Sequence, residues 1–438
     1  MYPIHLLAPR ARTVACCVAT LTLVLTPAWS PAALADSTPP GATLGADLAA
    51  LIAHAREHNP ALVASRLDAA AARARVASAS SLPDPRLELE LMDVTNTMNP
   101  GRSTSLLPGE VGTTTLRVTQ MLPFPGKRAL RGEIAEALAD GTEADVAQAR
   151  LNVETAIRQA FITYFRAVDQ ARILAQTIAL NEGLETLVLD RYALGLASQQ
   201  AVLQVQGELT ALRIEAVELA RRRAAAQASL NVLLPRAPDA TLAEPAALPP
   251  LPPSAALTAM IEQASRHAPA LGRSRAELAA AERSRDLTYR ERYPDFGVSI
   301  ANNRPRSGRE SWDVMFELNI PLQQASRRAR EREADHARAA AEARRDAAEH
   351  QLAGAVGEAH AALEARRAQI ALIRDGLLPQ TEAGLASARA GYETGSVDFA
   401  AVLAAQQRVL NTRRALLEAE VEAALDVATL EQLLGVSL

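Results

Sequence analysis

The chain has 438 residues, of which 49% are hydrophobic but only 3% aromatic, and its formal net charge is −4. Few aromatics and abundant Ala suit close helix packing and argue against a large sandwich core or an aromatic-lined pocket. The mild charge implies no nucleic acid or other polyanion as a partner.

Arg10 and Arg12 precede an apolar run from Val14 to Leu25, and Ala33-Leu34-Ala35 fits small-x-small cleavage. Residues 1–35 therefore read as a secretory signal peptide. Cys16 and Cys17 lie inside that run, so the mature chain, from near Asp36, is expected to hold no cysteine and no lipid anchor. No later segment approaches the roughly 18 uninterrupted apolar residues of a spanning helix. Any crossing of a membrane must then be made by strands.

Two copies of one plan follow. Residues 36–235 form a first repeat, 236–253 a Pro-rich linker, and 254–438 a second repeat. Each opens with Ala-rich helical sequence, Thr43 to Leu82 and Ala255 to Arg292, broken at Asn59-Pro60 and at Ala268-Pro269. Leu82-Pro83-Asp84-Pro85 and Tyr293-Pro294-Asp295 then stop the helices, because proline excludes its predecessor from the α region.

A pair of strands comes next in each copy. Leu87, Leu89 and Leu91 alternate with polar neighbours, as do Leu116 and Val118 beyond a Gly/Ser/Pro-rich loop from Thr95 to Gly112. In the second copy Phe296, Val298 and Ile300 pair, across a polar loop containing Asn302 to Gly308, with Trp312, Val314, Phe316 and Leu318. Period-two alternation gives each pair one apolar face and one polar face.

Very long helices leave the strands, Lys127 to Tyr192 and Arg327 to Tyr392, with no proline except Pro379. Each spans about 100 Å if unbroken. They end at a repeated Tyr-x-x-Gly, Tyr192 to Gly195 and Tyr392 to Gly395, read as the sharp reversal at the tip of a helical hairpin. Shorter helices return, Gln199 to Leu234 and Asp398 to Leu434. Heptad spacing of Val202, Leu209 and Ala216, and of Val402, Val409, Leu416, Ala423 and Leu430, marks coiled-coil seams. A return helix plus the next opening helix spans roughly 110 Å, which matches one long helix and builds a continuous wall.

The predicted fold is mainly α with a small β part. Long antiparallel helices form an α-barrel, and four strands per chain contribute to a transmembrane β-barrel. Four strands cannot close in lipid, and the smallest membrane barrels need about eight. A trimer supplies about twelve, enough to leave room for passage. Leu87, Leu89, Leu91, Leu116, Val118, Phe296, Val298, Ile300, Trp312, Val314, Phe316 and Leu318 are then the lipid-facing residues.

These segments together resemble the TolC-like outer-membrane efflux proteins over essentially the whole mature chain. The most specific matches are Leu82-Pro83-Asp84-Pro85, Gln120-Met121-Leu122-Pro123-Phe124-Pro125-Gly126-Lys127, Tyr293-Pro294-Asp295-Phe296, Asn319-Ile320-Pro321 and both tips. The segment from Gln120 to Lys127 looks most like the heavy-metal (cation) efflux branch. The resemblance implies a homotrimer in the cell outer membrane with a periplasmic helical extension. Its tips would dock a periplasmic adaptor (membrane fusion) protein and, through it, a proton-driven inner-membrane resistance-nodulation-division pump. Tyr192, Gly195, Leu196, Ser198, Tyr392, Glu393, Gly395, Ser396 and Asp398 carry over as tip, gate and docking residues. One departure stands out: Ala401 and Ala404 occupy the places of the family's pore-narrowing carboxylates, which leaves Asp398 and Glu393 as gate candidates.

No enzyme, cofactor or resident metal is expected. His54-Ala55-Arg56-Glu57-His58 matches the H-x-x-E-H pattern of a zinc protease, but the second copy has Gln263, Arg266 and His267 there. His336, His350 and His360 read as solvated, and Met92, Met98, Met121 and Met315 are too few for a copper path. Arg327, Arg328, Arg330 and Arg332 read as a charged collar below the membrane. Rival readings are a periplasmic adaptor, which would carry one hairpin rather than two, and a secreted zinc protease using His54, Glu57 and His58. Within the family, a drug-efflux or type I protein-secretion duct is the alternative to a metal-efflux one.

Overall fold

The computed structural model describes residues 44–97 and 103–438. The expected signal peptide, Cys16, Cys17 and Met98 lie outside the described residues. In chain order the elements are α1 (Leu48–His58), α2 (Pro60–Ser80), β1 (Arg86–Met92), β2 (Thr113–Leu122), α3 (Lys127–Ala193), α4 (Gln199–Leu233), α5 (Leu257–His267), α6 (Pro269–Arg290), β3 (Asp295–Pro305), β4 (Ser311–Asn319), α7 (Gln324–Ala371), a π-helical turn (Leu372–Leu377), α8 (Leu378–Glu393) and α9 (Phe399–Leu434). No helix among the described residues is long and apolar enough to cross a membrane.

Local chemistry explains the breaks. Asn59 ends α1 and caps α2, accepting from the Ala61 amide at 2.9 Å, while Pro60 sits at the first helical position, where its missing N–H is harmless. Pro269 opens α6 in the same way. The second long helix is not one unbroken α-helix as the sequence led us to expect. It passes through the π turn just before Pro379, where the wider ring relieves the clash that proline imposes on the preceding turn.

The strands form one antiparallel sheet in the order β1-β2-β3-β4. β3 runs further than its polar sequence suggested: Asn302 to Pro305, read from sequence as loop, pair with Leu116 to Thr113. Neighbouring polar strands satisfy these residues, for example Thr115 Oγ1 donating to Asn303 Oδ1 at 2.8 Å. Among the described residues β1 and β4 are the two edges and pair on one side only.

Helix packing follows the heptads. Val202, Val205, Leu209, Leu212 and Leu219 on α4 are buried, as are Val402, Val409, Ala423 and Leu430 on α9. One cluster joins α1 to the middle of α3 and the end of α4 through Leu51, Ile157, Phe161, Tyr164 and Leu230. Another joins α5, α7 and α9 through Met260, Val356, Leu363 and Leu430. A buried carboxylate pins α1 to α3: Glu154, 5% exposed, meets Arg56 and Arg150 at 2.7 Å each. Arg158, 4.0 Å from Glu154, extends this network to Glu431 on α9 at 2.9 Å. Burial pushes the Glu154 carboxyl upward, but the Arg56 and Arg150 guanidiniums outweigh it and hold the group below its ordinary value.

Candidate functional site

The sheet has two chemically different faces, and cross-strand register decides which residues share them. Leu87, Val118, Ile300 and Val314 are successive partners and form one row across all four strands. Leu89, Leu116, Asn302 and Trp312 form the next, and Leu122, Phe296 and Leu318 close the end nearest the helices. Val298 pairs with Phe316, and Leu91 lies two residues beyond Leu89 on the same side. All twelve residues named from the sequence therefore share one face. Every residue of β4 is exposed, Trp312 at 70% and Phe316 at 79%; only Leu91 and Val298 are half-buried. The other face is polar, with Glu88, Arg117, Ala301 and Asp313 in one row and Arg117 lying 3.7 Å from both Glu88 and Glu90.

Where the sheet meets the helices, Lys127 is buried to 4% exposure and donates to Asp295 Oδ1 and to the Tyr293 carbonyl, each at 2.8 Å. The Phe124 amide donates to the same carboxylate oxygen at 2.8 Å. Two corners far apart in sequence are thereby clamped together.

At the opposite end lie the two tips. In the first, Gly195 takes a φ of +71° and Leu196 N donates to the Arg191 carbonyl at 2.8 Å. In the second, Gly395 takes +78° and Ser396 N donates to the Gly391 carbonyl at 2.8 Å. Both glycines are required by that left-handed backbone. Ser198 and Asp398 are the N-caps of the returning helices, the Asp398 carboxylate accepting from Ala401 N at 2.9 Å. Asp398 is thus tied to its own helix, while Glu393 is exposed and offers its carbonyl to Arg191 Nη1 at 3.0 Å.

The tip tyrosines are not equivalent. Tyr392 is 6% exposed, edge-on to Phe399 at 5.6 Å and beneath the Arg191 guanidinium at 4.8 Å. Tyr192 is 47% exposed, beside Leu194 at 74% and Leu196 at 63%. Sequence reading had not assigned roles to Arg191 and Phe399. The signal was the comparison of copies, which sets Arg191 against Gly391 and Phe399 against Gln199.

His54 and His58 stack face to face at 4.4 Å, and His58 Nδ1 lies 2.9 Å from the His54 carbonyl. Among the described residues no group of three or more His, Cys, Asp or Glu is placed to hold a metal.

The family model described as "Outer membrane efflux protein" matches residues 51–235 and 260–436. The chain belongs to the outer membrane efflux protein family. VceC from Vibrio cholerae shares the fold with a TM-score of 0.74 and 20% identity, over 89% of this chain and 96% of that one. The open state of the MtrE channel from Neisseria gonorrhoeae gives 0.72 and 16%, over 90% of each chain. CusC gives 0.75 and 18%, over 90% of this chain and 93% of that one. No curated relative matches the chain. This outer membrane efflux protein is a channel of the outer membrane with a periplasmic helical part, and its family is one of channels rather than enzymes.

Proposed function

We propose that three copies of this chain assemble into one exit duct. Each copy lends its sheet to a shared β-barrel and its helices to a periplasmic α-barrel. The observation that carries this reading is the sheet itself, which has an uncovered apolar face and two unpaired edges, β1 and β4. Open edges in lipid leave backbone groups unsatisfied, so β4 of one copy pairs with β1 of the next. Leu87, Leu89, Leu91, Leu116, Val118, Phe296, Val298, Ile300, Trp312, Val314, Phe316 and Leu318 then meet lipid, and Glu88, Glu90, Arg117 and Glu317 line water.

The tips form the periplasmic mouth. Tyr192, Leu194 and Leu196 present an exposed apolar surface suited to a periplasmic adaptor, and Tyr392 with Arg191 holds the second hairpin against the first. Gly195, Gly395, Ser198 and Ser396 shape the reversals, and Glu393 and Asp398 supply negative charge at the mouth. Transport is passive, with energy supplied by a proton-driven inner-membrane pump of the resistance-nodulation-division type.

The cargo we infer is heavy-metal cations. Support comes from the Gln120 to Lys127 segment, which resembles the heavy-metal (cation) efflux branch. The experiment is deletion of the gene followed by growth on zinc, cobalt, cadmium, copper and silver. Sensitisation to one or more supports the metal reading; unchanged tolerance with new sensitivity to organic drugs replaces it by a drug-efflux duct.

A further inference from the structure

The apolar face of the sheet ends, toward the helices, in the exposed row Leu122, Phe296 and Leu318. Just past it Tyr293, 46% exposed, stacks on Phe124 at 4.6 Å and 12°. Phe124 lies two residues past Leu122, where β2 ends, so this aromatic pair stands beside the last apolar row of the sheet. Below it, between α3 and α6, opens a groove of about 520 Å³. Ala129 and Leu130 give the groove apolar surface, and Arg290, Arg292 and Tyr293 line its membrane end.

The charges of this groove are unevenly spent. Its acids, Glu133 and Asp286, are both taken by Arg283, at 3.2 and 3.8 Å. Arg292 reaches Glu331 at 3.3 Å. Arg290 donates only to the Pro125 carbonyl, at 3.1 Å, and has no carboxylate partner among the described residues. Its guanidinium lies against Gly126, where a Cβ would collide with it. The surroundings share this excess: residues 78–86, 122–133, 287–297 and 320–333 hold ten Arg or Lys against six acids, in a chain whose net charge is −4.

We propose that this groove binds the headgroup of an anionic phospholipid in the periplasmic leaflet of the outer membrane. The phosphodiester sits on Arg290 and Arg292, and the acyl chains rise past Tyr293 and Phe124 along the apolar face. Guanidinium forks suit phosphate oxygens, and juxtamembrane basic clusters attract anionic lipid. A free phosphate ion would use the arginines but leave the apolar groove surface and aromatic pair without a role. A zwitterionic headgroup brings its own ammonium against the arginines. The inference rests on the outer-membrane channel reading.

The test is reconstitution of the full chain in nanodiscs of phosphatidylethanolamine, with and without phosphatidylglycerol. Thermal midpoint and bound lipid, by native mass spectrometry, are the readouts. The expected result is a higher midpoint with phosphatidylglycerol and retained anionic lipid. Arg290→Ala with Arg292→Gln should lower that retention roughly tenfold, and Arg290→Lys should restore part of it. Arg309→Ala, the loss of one charge in the β3–β4 loop, should change nothing. Equal retention in the Arg290 and Arg292 variants, or an equal midpoint shift from inorganic phosphate, overturns the proposal. A chain that inserts but ignores phosphatidylglycerol overturns this inference alone; one that never inserts overturns the channel reading with it.

Discussion

The Arg191 guanidinium lies 4.8 Å above the ring of Tyr392 and donates to the carbonyl of the next residue, Glu393, at 3.0 Å. One side chain of the first hairpin thus grips both ring and backbone of the second. Arg191 Nε and the Tyr392 hydroxyl are themselves buried without hydrogen-bond partners among the described residues. The tips are held together by packing, one cation–π contact and one hydrogen bond, at the cost of two unsatisfied polar atoms.

That grip predicts unequal tyrosines. Tyr392→Ala should destabilise the tip contact by about 3 kcal/mol, as removal of a buried ring does, and should open the periplasmic mouth. Tyr192→Ala should cost under about 1 kcal/mol. Thermal melting in detergent, with single-channel conductance, checks both. Equal effects of the two substitutions would refute the assigned asymmetry.

Gln406 on α9 is 5% exposed, and neither end of its amide has a partner among the described residues, where Asn181 on α3, 1% exposed, likewise has a bare Oδ1. Gln406→Leu should raise the melting temperature, because an unsatisfied buried amide costs about 1–3 kcal/mol. A lower melting temperature would show that the amide is satisfied in the assembled protein.

The corner clamp should be costly to break. Lys127→Met leaves the partly exposed Asp295 carboxylate without its buried cation, a loss of about 1–3 kcal/mol. The measurement is the yield of folded oligomer extracted from outer membranes, which should fall sharply; Lys127→Arg should recover part of it.

Glu154 sets a pH dependence. Its carboxyl titrates lower in the folded chain than its ordinary 4.5, so its stabilising effect is complete above that value and is lost as pH falls through the folded value. Acid titration of thermal stability should therefore show a loss below about pH 4.5 that Glu154→Gln reduces, the variant being less stable at neutral pH. A wild-type curve unchanged by the substitution would remove Glu154 from the account.

The faces of the sheet predict opposite tolerances. Val314→Arg places a charge on the apolar face and should cost about 2–4 kcal/mol near the bilayer midplane. Asp313→Arg, one residue away on the polar face, should insert normally. Outer-membrane yield of the two variants is the readout.

Much of this was legible in the chain because local patterns are periodic. Alternating Leu87, Leu89 and Leu91 fix a strand face, heptads fix the seams of α4 and α9, and Asn59-Pro60 fixes a helix boundary. These signals depend only on neighbours a few residues away. Copy-to-copy comparison also located both tips, since Gly195 and Gly395 answer the same backbone need.

What the tertiary structure decided concerns residues whose partners lie far away in sequence. Asn302 to Pro305 carry no strand pattern, and they join β3 because β2 satisfies their polar groups. Tyr192 and Tyr392 occupy matching positions, yet only Tyr392 is buried, since Phe399 and Arg191 reach it from another helix and the other hairpin. Sequence periodicity records which side of an element is apolar; burial and pairing depend on which element arrives to meet that side.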